Sequence, residues 1–424
     1  MLQISYIRQH TALVKEKLAV KHFGDLSLVD SILETDEQVR KLKTESEAMQ
    51  AALNTASKEI GMLMGKGEKE AAENKKQEVT QSKTTLQNLA QQLADAEKKL
   101  YDTLILLPNL PHTSVPQGKT PEENVVVREG GKKPALPETA VPHWDLIKTY
   151  DLVDFETGVK ITGSGFPLYK GKGAKLQRAL VQYFLDYNTD AGYTEYLPPL
   201  MVNEASAYGT GQLPDKEGQM YHATADNFYL IPTAEVPVTN IYRDEIVKES
   251  DLPIKMTAYT PCFRREAGSF GADVRGLNRV HQFDKVELVQ IVHPDTSYEV
   301  LEDMVSHVEK LLNTLELPYR ILRLCGGDMS FTSALTYDFE VYSAAQQKWL
   351  EVSSVSNFES FQTNRLKIRY KDADGKSQLV HSLNGSSLAL PRIVACLLEN
   401  NQTESGIELP VILHSYFGSP KITK

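Results

Sequence analysis

Two short segments carry the residue types best suited to chemistry: Phe263-Arg264-Arg265-Glu266 and, after a loop, Arg279-Val280-His281-Gln282-Phe283. Both segments alternate like antiparallel strands, over Tyr259–Glu266 and Arg279–Ile291. Residues two apart on a strand share a face, which predicts Arg264 and Glu266 side by side. A guanidinium so placed can clamp a phosphate through two parallel hydrogen bonds, and a carboxylate can accept from an amino group such as that of adenine. The loop between them, Ala267 to Asn278, holds three glycines with Asp273 and Arg275, a composition that suits closure over a ligand. A lone R-x-E is more often a surface ion pair; the loop and the following R-x-x-x-F tip the balance toward a site. His281 stands in the same segment, but a strand histidine is about as often a satisfied structural residue, and no general-base role is assigned to it.

Other polar clusters recur downstream and upstream: Thr233-Ala234-Glu235 after Pro232, Glu287 two residues past Lys285, Glu351-Val352-Ser353-Ser354, and Asn384-Gly385-Ser386 leading to Arg392. The first three have ordinary alternatives. The first reads as a turn after proline, Glu287 could simply pair with Lys285, and Glu351 could be a solvated carboxylate. Neither G-x-G-x-x-G nor G-x-x-x-x-G-K-[ST] occurs, so the common nucleotide cradles are excluded.

The elements that must position these residues are of two kinds. From about residue 145 onward strands and helices mix irregularly: a helix over Lys175–Asn188, a strand over Lys348–Ser353 and a helix over Leu388–Glu399. That order predicts an α+β domain on an antiparallel sheet flanked by helices. Before it, residues 29–104 repeat in sevens. Ile32, Val39, Ser46, Leu53 and Ile60 form one series; Thr35, Leu42, Met49, Ala56 and Leu63 form a second. Gly61, Gly65 and Gly67 interrupt, and Val79, Leu86, Leu93 and Leu100 resume. With no proline before Pro108, this is a long antiparallel helical hairpin, a coiled-coil arm on the order of 50 Å long. Pro108, Pro111, Pro116 and Pro121 then open a linker. The expected division is 1–107, a linker over 108–144, and 145–424.

The chain has 424 residues, 41% hydrophobic and 24% charged, with a net charge of −10. That balance argues against generic electrostatic adhesion to nucleic acid. The tip of the hairpin differs: residues 58–83 carry six lysines against five glutamates. Three scattered cysteines offer neither a zinc spacing nor a disulfide framework, and no apolar run approaches a membrane span, so a reduced, cytoplasmic protein is expected.

Taken together, the segments resemble the class II aminoacyl-tRNA synthetases. The R-x-E, loop, R-x-x-x-F arrangement is similar to their motif 2, Gly192-Tyr193 with Pro199-Leu200 to motif 1, and Gly385 through Arg392 to motif 3, with Ser387 and Ala389 in place of two usual glycines. Gly209-Thr210-Gly211-Gln212-Leu213-Pro214, Thr233-Ala234-Glu235, His281-Gln282-Phe283 with Glu287, Glu351-Val352-Ser353-Ser354 and Asn384-Gly385-Ser386 narrow the resemblance to the seryl-tRNA synthetases, bacterial type. One departure is Gly163-Ser164-Gly165-Phe166, where relatives often carry arginine at the third position.

The resemblance implies ATP and Mg²⁺, L-serine and tRNA(Ser) as ligands, and a homodimer built through motif 1. It leaves open whether a selenocysteine tRNA, tRNA(Sec), is charged as well. It implies that Arg264, Arg265, Glu266, Arg279, Glu351, Val352, Ser353, Ser354 and Arg392 bind ATP. Arg264, Arg279 and Arg392 would be catalytic, and Glu351 with Ser354 would hold the metal. Thr233, Ala234, Glu235, Glu287, Asn384 and Ser386 would hold serine, and Lys66, Lys69, Lys75 and Lys76 on the arm would meet tRNA. Residues 1–107 would then be the tRNA-binding domain and 145–424 the catalytic domain. Two rivals are a synthetase-like ligase that loads a carrier protein, and a non-catalytic coiled-coil RNA-binding protein. Relatives of the first kind lack the arm, and the intact arginines and carboxylates oppose the second.

Overall fold

The computed structural model describes residues 1–215, 218–267 and 275–424; Asp273 lies outside them. The chain divides into two compact units, Met1–Ala19 with Phe23–Pro108, and Val20–His22 with Asn109–Lys424.

The first unit is built on helices α1 (Ser27–Gly65) and α2 (Lys69–Leu104), which pack along each other. Every residue of the two heptad series, and Val79, Leu86, Leu93 and Leu100 on the return helix, is buried or half-buried. The seam therefore works as the spacing predicts. Gly61 does not interrupt: α1 runs through it to Gly65. One helical glycine costs only about 1 kcal/mol relative to alanine, less than a seam of apolar contacts returns. The chain turns at Gly67 instead, whose φ is +82°. Lower down, the buried Asp36 carboxylate is matched by Arg8 and Arg40, each at 3.1 Å.

The second unit centres on an eight-stranded sheet: β1 (Val125–Gly130), β2 (Thr194–Tyr196), β3 (Ile254–Phe263), β4 (Gln282–Val292), β5 (Tyr319–Arg323), β6 (Leu335–Ser343), β7 (Lys348–Asn357) and β8 (His381–Ala389). The spatial order is β1-β5-β6-β7-β8-β4-β3-β2. All pairings are antiparallel except that of β2 with β3. Helices α3 (Gly171–Asp190), α4 (Ser297–Thr314) and α5 (Leu390–Asn400) bury their apolar faces in one core with the sheet. This is the expected α+β architecture.

Three register shifts interrupt the pairing of the sheet: one lies on the edge strand β1 between Val126 and Arg128, and the other two lie between β6 and β7 and between β4 and β8. Between β6 and β7 the register jumps, with Phe339 opposite Ser353 but Glu340 opposite Glu351, so Val352 is an extra residue. A bulge of this kind changes which residues share a face. Between β4 and β8, Lys285 faces Ala389 and Glu287 faces Ser386, so Ser387 and Leu388 stand against the single Val286, one residue in excess; Leu388 has φ +73°. Left-handed backbone at a branched, fully buried residue is strained. The strain falls on Leu388, not on Ser387 or Ala389, where the resemblance placed glycines.

Val20–His22 belongs to the second unit. The Lys21 ammonium donates to the carbonyls of Ser330 at 2.7 Å and Ser333 at 2.8 Å, and the His22 ring bonds the Gly118 carbonyl at 2.8 Å. Among the described residues no helix is long and apolar enough to cross a membrane, and Cys262, Cys325 and Cys396 are free and buried.

Candidate active site

A cavity of about 760 Å³ opens on the sheet where β3, β4, β6, β7 and β8 run side by side. Its size suits a ligand of nucleotide class plus a small molecule. Arg264, Glu266, Arg279, Glu351, Val352, Ser353, Ser354 and Arg392 line it, as do Thr233, Glu235, Glu287, Asn384 and Ser386. Two expected residues do not. The Ala234 methyl is buried in a small apolar cluster with Met256 and Ile291, and Arg265 turns away to lie over the Tyr221 ring at 5.9 Å.

Arg264 and Glu266 lie beyond the strand on which their alternation places them. β3 ends at Phe263, although the Arg264 N–H still donates to the His281 carbonyl at 2.9 Å. Glu266 has φ +47°, so alternation on a strand is not what aims it. A left-handed residue brings the chain round and presents its carboxylate to Arg279 at 2.9 Å. Arg264 is braced twice: its Nε donates to the Pro232 carbonyl at 3.3 Å, and its guanidinium lies 5.3 Å over the Phe283 ring. The planar group is thereby held in a fixed orientation on the cavity wall. Arg392, near the start of α5, donates to the Glu351 carbonyl at 2.6 Å and stands 3.7 Å from its carboxylate. Three guanidiniums in one cavity form a site for a polyanion.

Glu351 and Ser354 are three apart, and on a regular strand they would face opposite ways. The extra residue at Val352 changes that parity, so both reach the cavity while the Val352 side chain enters the core and contributes only backbone. Ser353 spends its hydroxyl on the Ser386 carbonyl at 2.6 Å. Opposite Ser354 in the register is Asp338, a cavity residue that the sequence reading missed. Its Oδ1 is enclosed without a hydrogen-bond partner. Burial, and then the neighbouring Glu351 charge, push its carboxyl well above the usual range, while Ser354 works in the opposite direction. A raised, orphaned carboxylate beside a second carboxylate and a hydroxyl is the donor set of a hard divalent cation that keeps waters or ligand oxygens in its shell.

The other end of the cavity is a buried polar pocket. Glu287 does pair with Lys285, and both also meet the Thr233 hydroxyl, which donates to Glu287 at 3.1 Å and accepts from Lys285 at 2.8 Å. Thr233 does form a turn, its hydroxyl accepting the Glu235 N–H at 3.2 Å. Glu235 accepts from Gln362 at 2.6 Å; burial first, and the Glu287 charge second, raise its pKa to about 7. Asn384 is a further hydrogen-bond partner of Glu235. On β8, Asn384 and Ser386 flank Gly385, where an added Cβ would come within 2.8 Å of the Val355 side chain, so the strand can lie this close only with glycine there. Lys285, in the sequence only a partner for Glu287, completes the pocket. His281 has a structural post: its Nδ1 bonds the Tyr221 hydroxyl at 2.8 Å, its ring stacks on Phe166, and its Cδ2 occupies the space a Cβ at Gly165 would need. The arm lysines belong to the first unit. Lys66 and Lys69 are exposed at the turn, Lys75 pairs with Glu59 and Glu78, and Lys76 pairs with Glu73.

Comparison with known proteins agrees with this geometry. Residues 1–111 match the family described as the seryl-tRNA synthetase N-terminal domain, and residues 220–401 match the tRNA synthetase class II core domain (G, H, P, S and T). The serine–tRNA ligase of Salinibacter ruber is 51% identical over 424 residues, covering 100% of this chain and 99% of its own. That of Methylacidiphilum infernorum is 48% identical over 419 residues, covering 98% and 99%. The crystal structure of seryl-tRNA synthetase from Pyrococcus horikoshii complexed with ATP has a TM-score of 0.92 at 33% identity, covering 100% of this chain and 99% of its own. With both domains matched and half of its residues shared with full-length relatives, this chain belongs to the seryl-tRNA synthetase family.

Proposed function

We propose that the cavity joins L-serine to ATP, releasing pyrophosphate, and then passes the serine to the terminal adenosine of tRNA(Ser). The observation that carries the reading is one cavity with two chemically distinct ends: Arg264, Arg279 and Arg392 at one, and Thr233, Glu235, Glu287, Asn384 and Ser386 at the other. Arg264 holds the α-phosphate, Glu266 the adenine amino group, and Arg279 and Arg392 the outer phosphates. Glu287 takes the substrate ammonium. Serine's carboxylate attacks the α-phosphorus in line, and pyrophosphate leaves on the opposite side. No protein nucleophile is required; positioning and preformed positive charge lower the barrier. A triphosphate would compete with Glu266 for Arg279, freeing that carboxylate for the base. The residues fit Mg²⁺: Asp338, Glu351 and Ser354 supply hard oxygen donors, and the enclosed Asp338 oxygen favours a cation beside it. When bound, the ion offsets phosphate charge. Serine-dependent exchange of labelled pyrophosphate into ATP tests the reading directly; exchange that ignores serine refutes it.

Discrimination should rest on the hydroxyl. Asn384, Ser386 and the Glu235 carboxyl converge where serine differs from alanine. A site built to bond a hydroxyl rejects the analogue lacking it by roughly 10⁴-fold. Comparison of kcat/KM for serine and alanine in the exchange assay checks this, and near-equal values would show the pocket misread.

We also propose a homodimer and a cytoplasmic protein. The edge strand β2 is followed by Leu197, which is 84% exposed, and by the exposed Leu200 and Met201. An open sheet edge with apolar side chains beside it invites a second copy. Light scattering at micromolar concentration should give twice the 47.4 kDa chain mass; a stable monomer would count against the motif 1 reading.

A further inference from the structure

Glu399, in the last turn of α5, is fully buried. Its Oε1 accepts the His143 backbone N–H at 2.9 Å, His143 Nδ1 at 2.7 Å and the Gln346 amide at 2.8 Å, while Oε2 takes the Ser343 hydroxyl. Burial works to raise this carboxyl, but the bonds from His143 and Ser343 outweigh it and leave its pKa lowered. On the far side of the ring, His143 Nε2 meets the backbone N–H of Leu277 at 2.9 Å. A backbone N–H can only donate, so Nε2 carries no proton and the ring proton sits on Nδ1, aimed at Glu399.

Leu277 and Asn278 form the return end of the loop between Arg264 and Arg279. Asn278 is gripped too: its carbonyl accepts from Arg392 Nε at 2.9 Å, and its amide donates to Gln346 at 3.0 Å. Arg392 and Glu399 stand near opposite ends of the single helix α5. That helix therefore holds two successive loop residues, one directly through Arg392 and one through the imidazole of His143. Arg279 follows immediately. Trp144 adds a contact, with the Arg275 guanidinium 4.4 Å over its ring. Gly276 makes room for the imidazole: its φ is +65°, and an added Cβ would lie 2.3 Å from His143 Nε2.

We infer that His143, oriented by Glu399, is a positioning residue for adenylate formation, fixing the return end of the loop so that Arg279 and Arg392 share one phosphate site. A buried His–Glu pair that only satisfies the core would lower stability when removed and disturb both substrates alike. A positioning role falls on ATP, because the ring's contact is with the phosphate loop and not with the Thr233–Glu287 pocket. The inference rests on the assignment of Arg279 and Arg392 to phosphate.

The test is pyrophosphate exchange by the full chain, with KM measured separately for ATP and serine, beside a thermal melt. His143→Ala should lower kcat/KM for ATP by roughly 10- to 100-fold, the cost of a small misplacement of charged groups, with KM for serine within about two-fold of the parent. His143→Gln, which keeps an acceptor for the Leu277 N–H, should recover part of the loss. Gly276→Ala should show the same ATP-selective defect in the parent and a smaller one in the His143→Ala background, where the ring is gone. If His143→Ala does not fold, His143→Gln and Gly276→Ala report the same split. Unchanged ATP parameters, or equal losses for ATP and serine tracking a lower Tm, overturn the inference. No serine-dependent exchange in the unmodified chain would instead sink the site assignment and this proposal with it.

Discussion

Arg264→Ala should lose roughly 2–4 kcal/mol of transition-state stabilisation in serine-dependent pyrophosphate exchange, the size of a removed preorganised electrostatic contact, or about 30- to 1,000-fold in rate. The reason is geometric. Arg264 is the arginine nearest the serine pocket in its bracing: the Pro232 carbonyl that fixes its Nε directly precedes Thr233, and Phe283 beneath it is two residues from Lys285. It thus stands where the two ends of the cavity meet, as a group on the α-phosphate must. Arg265→Ala is the internal contrast. Its guanidinium lies over Tyr221, outside the cavity, so exchange should change by no more than a few-fold. Single-turnover and steady-state rates at saturating substrates check both. Exchange near the parental rate in Arg264→Ala would remove it from the mechanism, and equal losses in the two variants would mean that the local backbone, not the Arg264 side chain, had been disturbed.

The features that the residues made legible are those fixed by local period or by residue type. The arm follows from its sevens because an apolar seam is a one-dimensional pattern. Arg264, Glu266 and Arg279 stand out because phosphate- and base-binding residue types flank a glycine-bearing loop, and Arg392 because its segment resembles motif 3. What stayed hidden depends on register. Asp338 sits in Leu335–Ser343, a strand with a carboxylate at alternate positions 338 and 340, and only its pairing with Ser354 reveals which of the two enters the cavity. The bulge at Val352, which lets Glu351 and Ser354 face the same way, is likewise set between strands. Alternation in the sequence continues through Glu266, whereas the strand ends at Phe263 and Glu266 takes a left-handed φ. Lys285 looked like a plain partner for Glu287 until Thr233, remote in sequence, closed the triad. His143 and Glu399 are 256 residues apart, beyond any local signal.

Excising the arm should separate RNA recognition from the chemistry. Residues 29–104 would be replaced by a short flexible bridge, which an antiparallel hairpin permits because its two ends lie together. The cut must spare Val20–His22: Lys21 caps the Ser330 and Ser333 carbonyls, and Ser330 lines the cavity, so a truncation from residue 1 would confuse two effects. Serine-dependent exchange should then survive within a few-fold, while aminoacylation of tRNA falls by orders of magnitude. Charge reversal in the full chain refines the point. Lys75 already pairs with Glu59 across the hairpin and Lys76 with Glu73, so reversing them also disturbs the arm, if only by the fraction of a kcal/mol that exposed pairs contribute. Lys66 and Lys69, exposed at the turn, are the cleaner probes. Reversing them should weaken tRNA binding and flatten its dependence on salt, because fewer counterions are released. A shortened chain that charges tRNA as well as the full one would make the arm a spacer, and an unchanged salt slope in the lysine variants would move the RNA contact away from its tip.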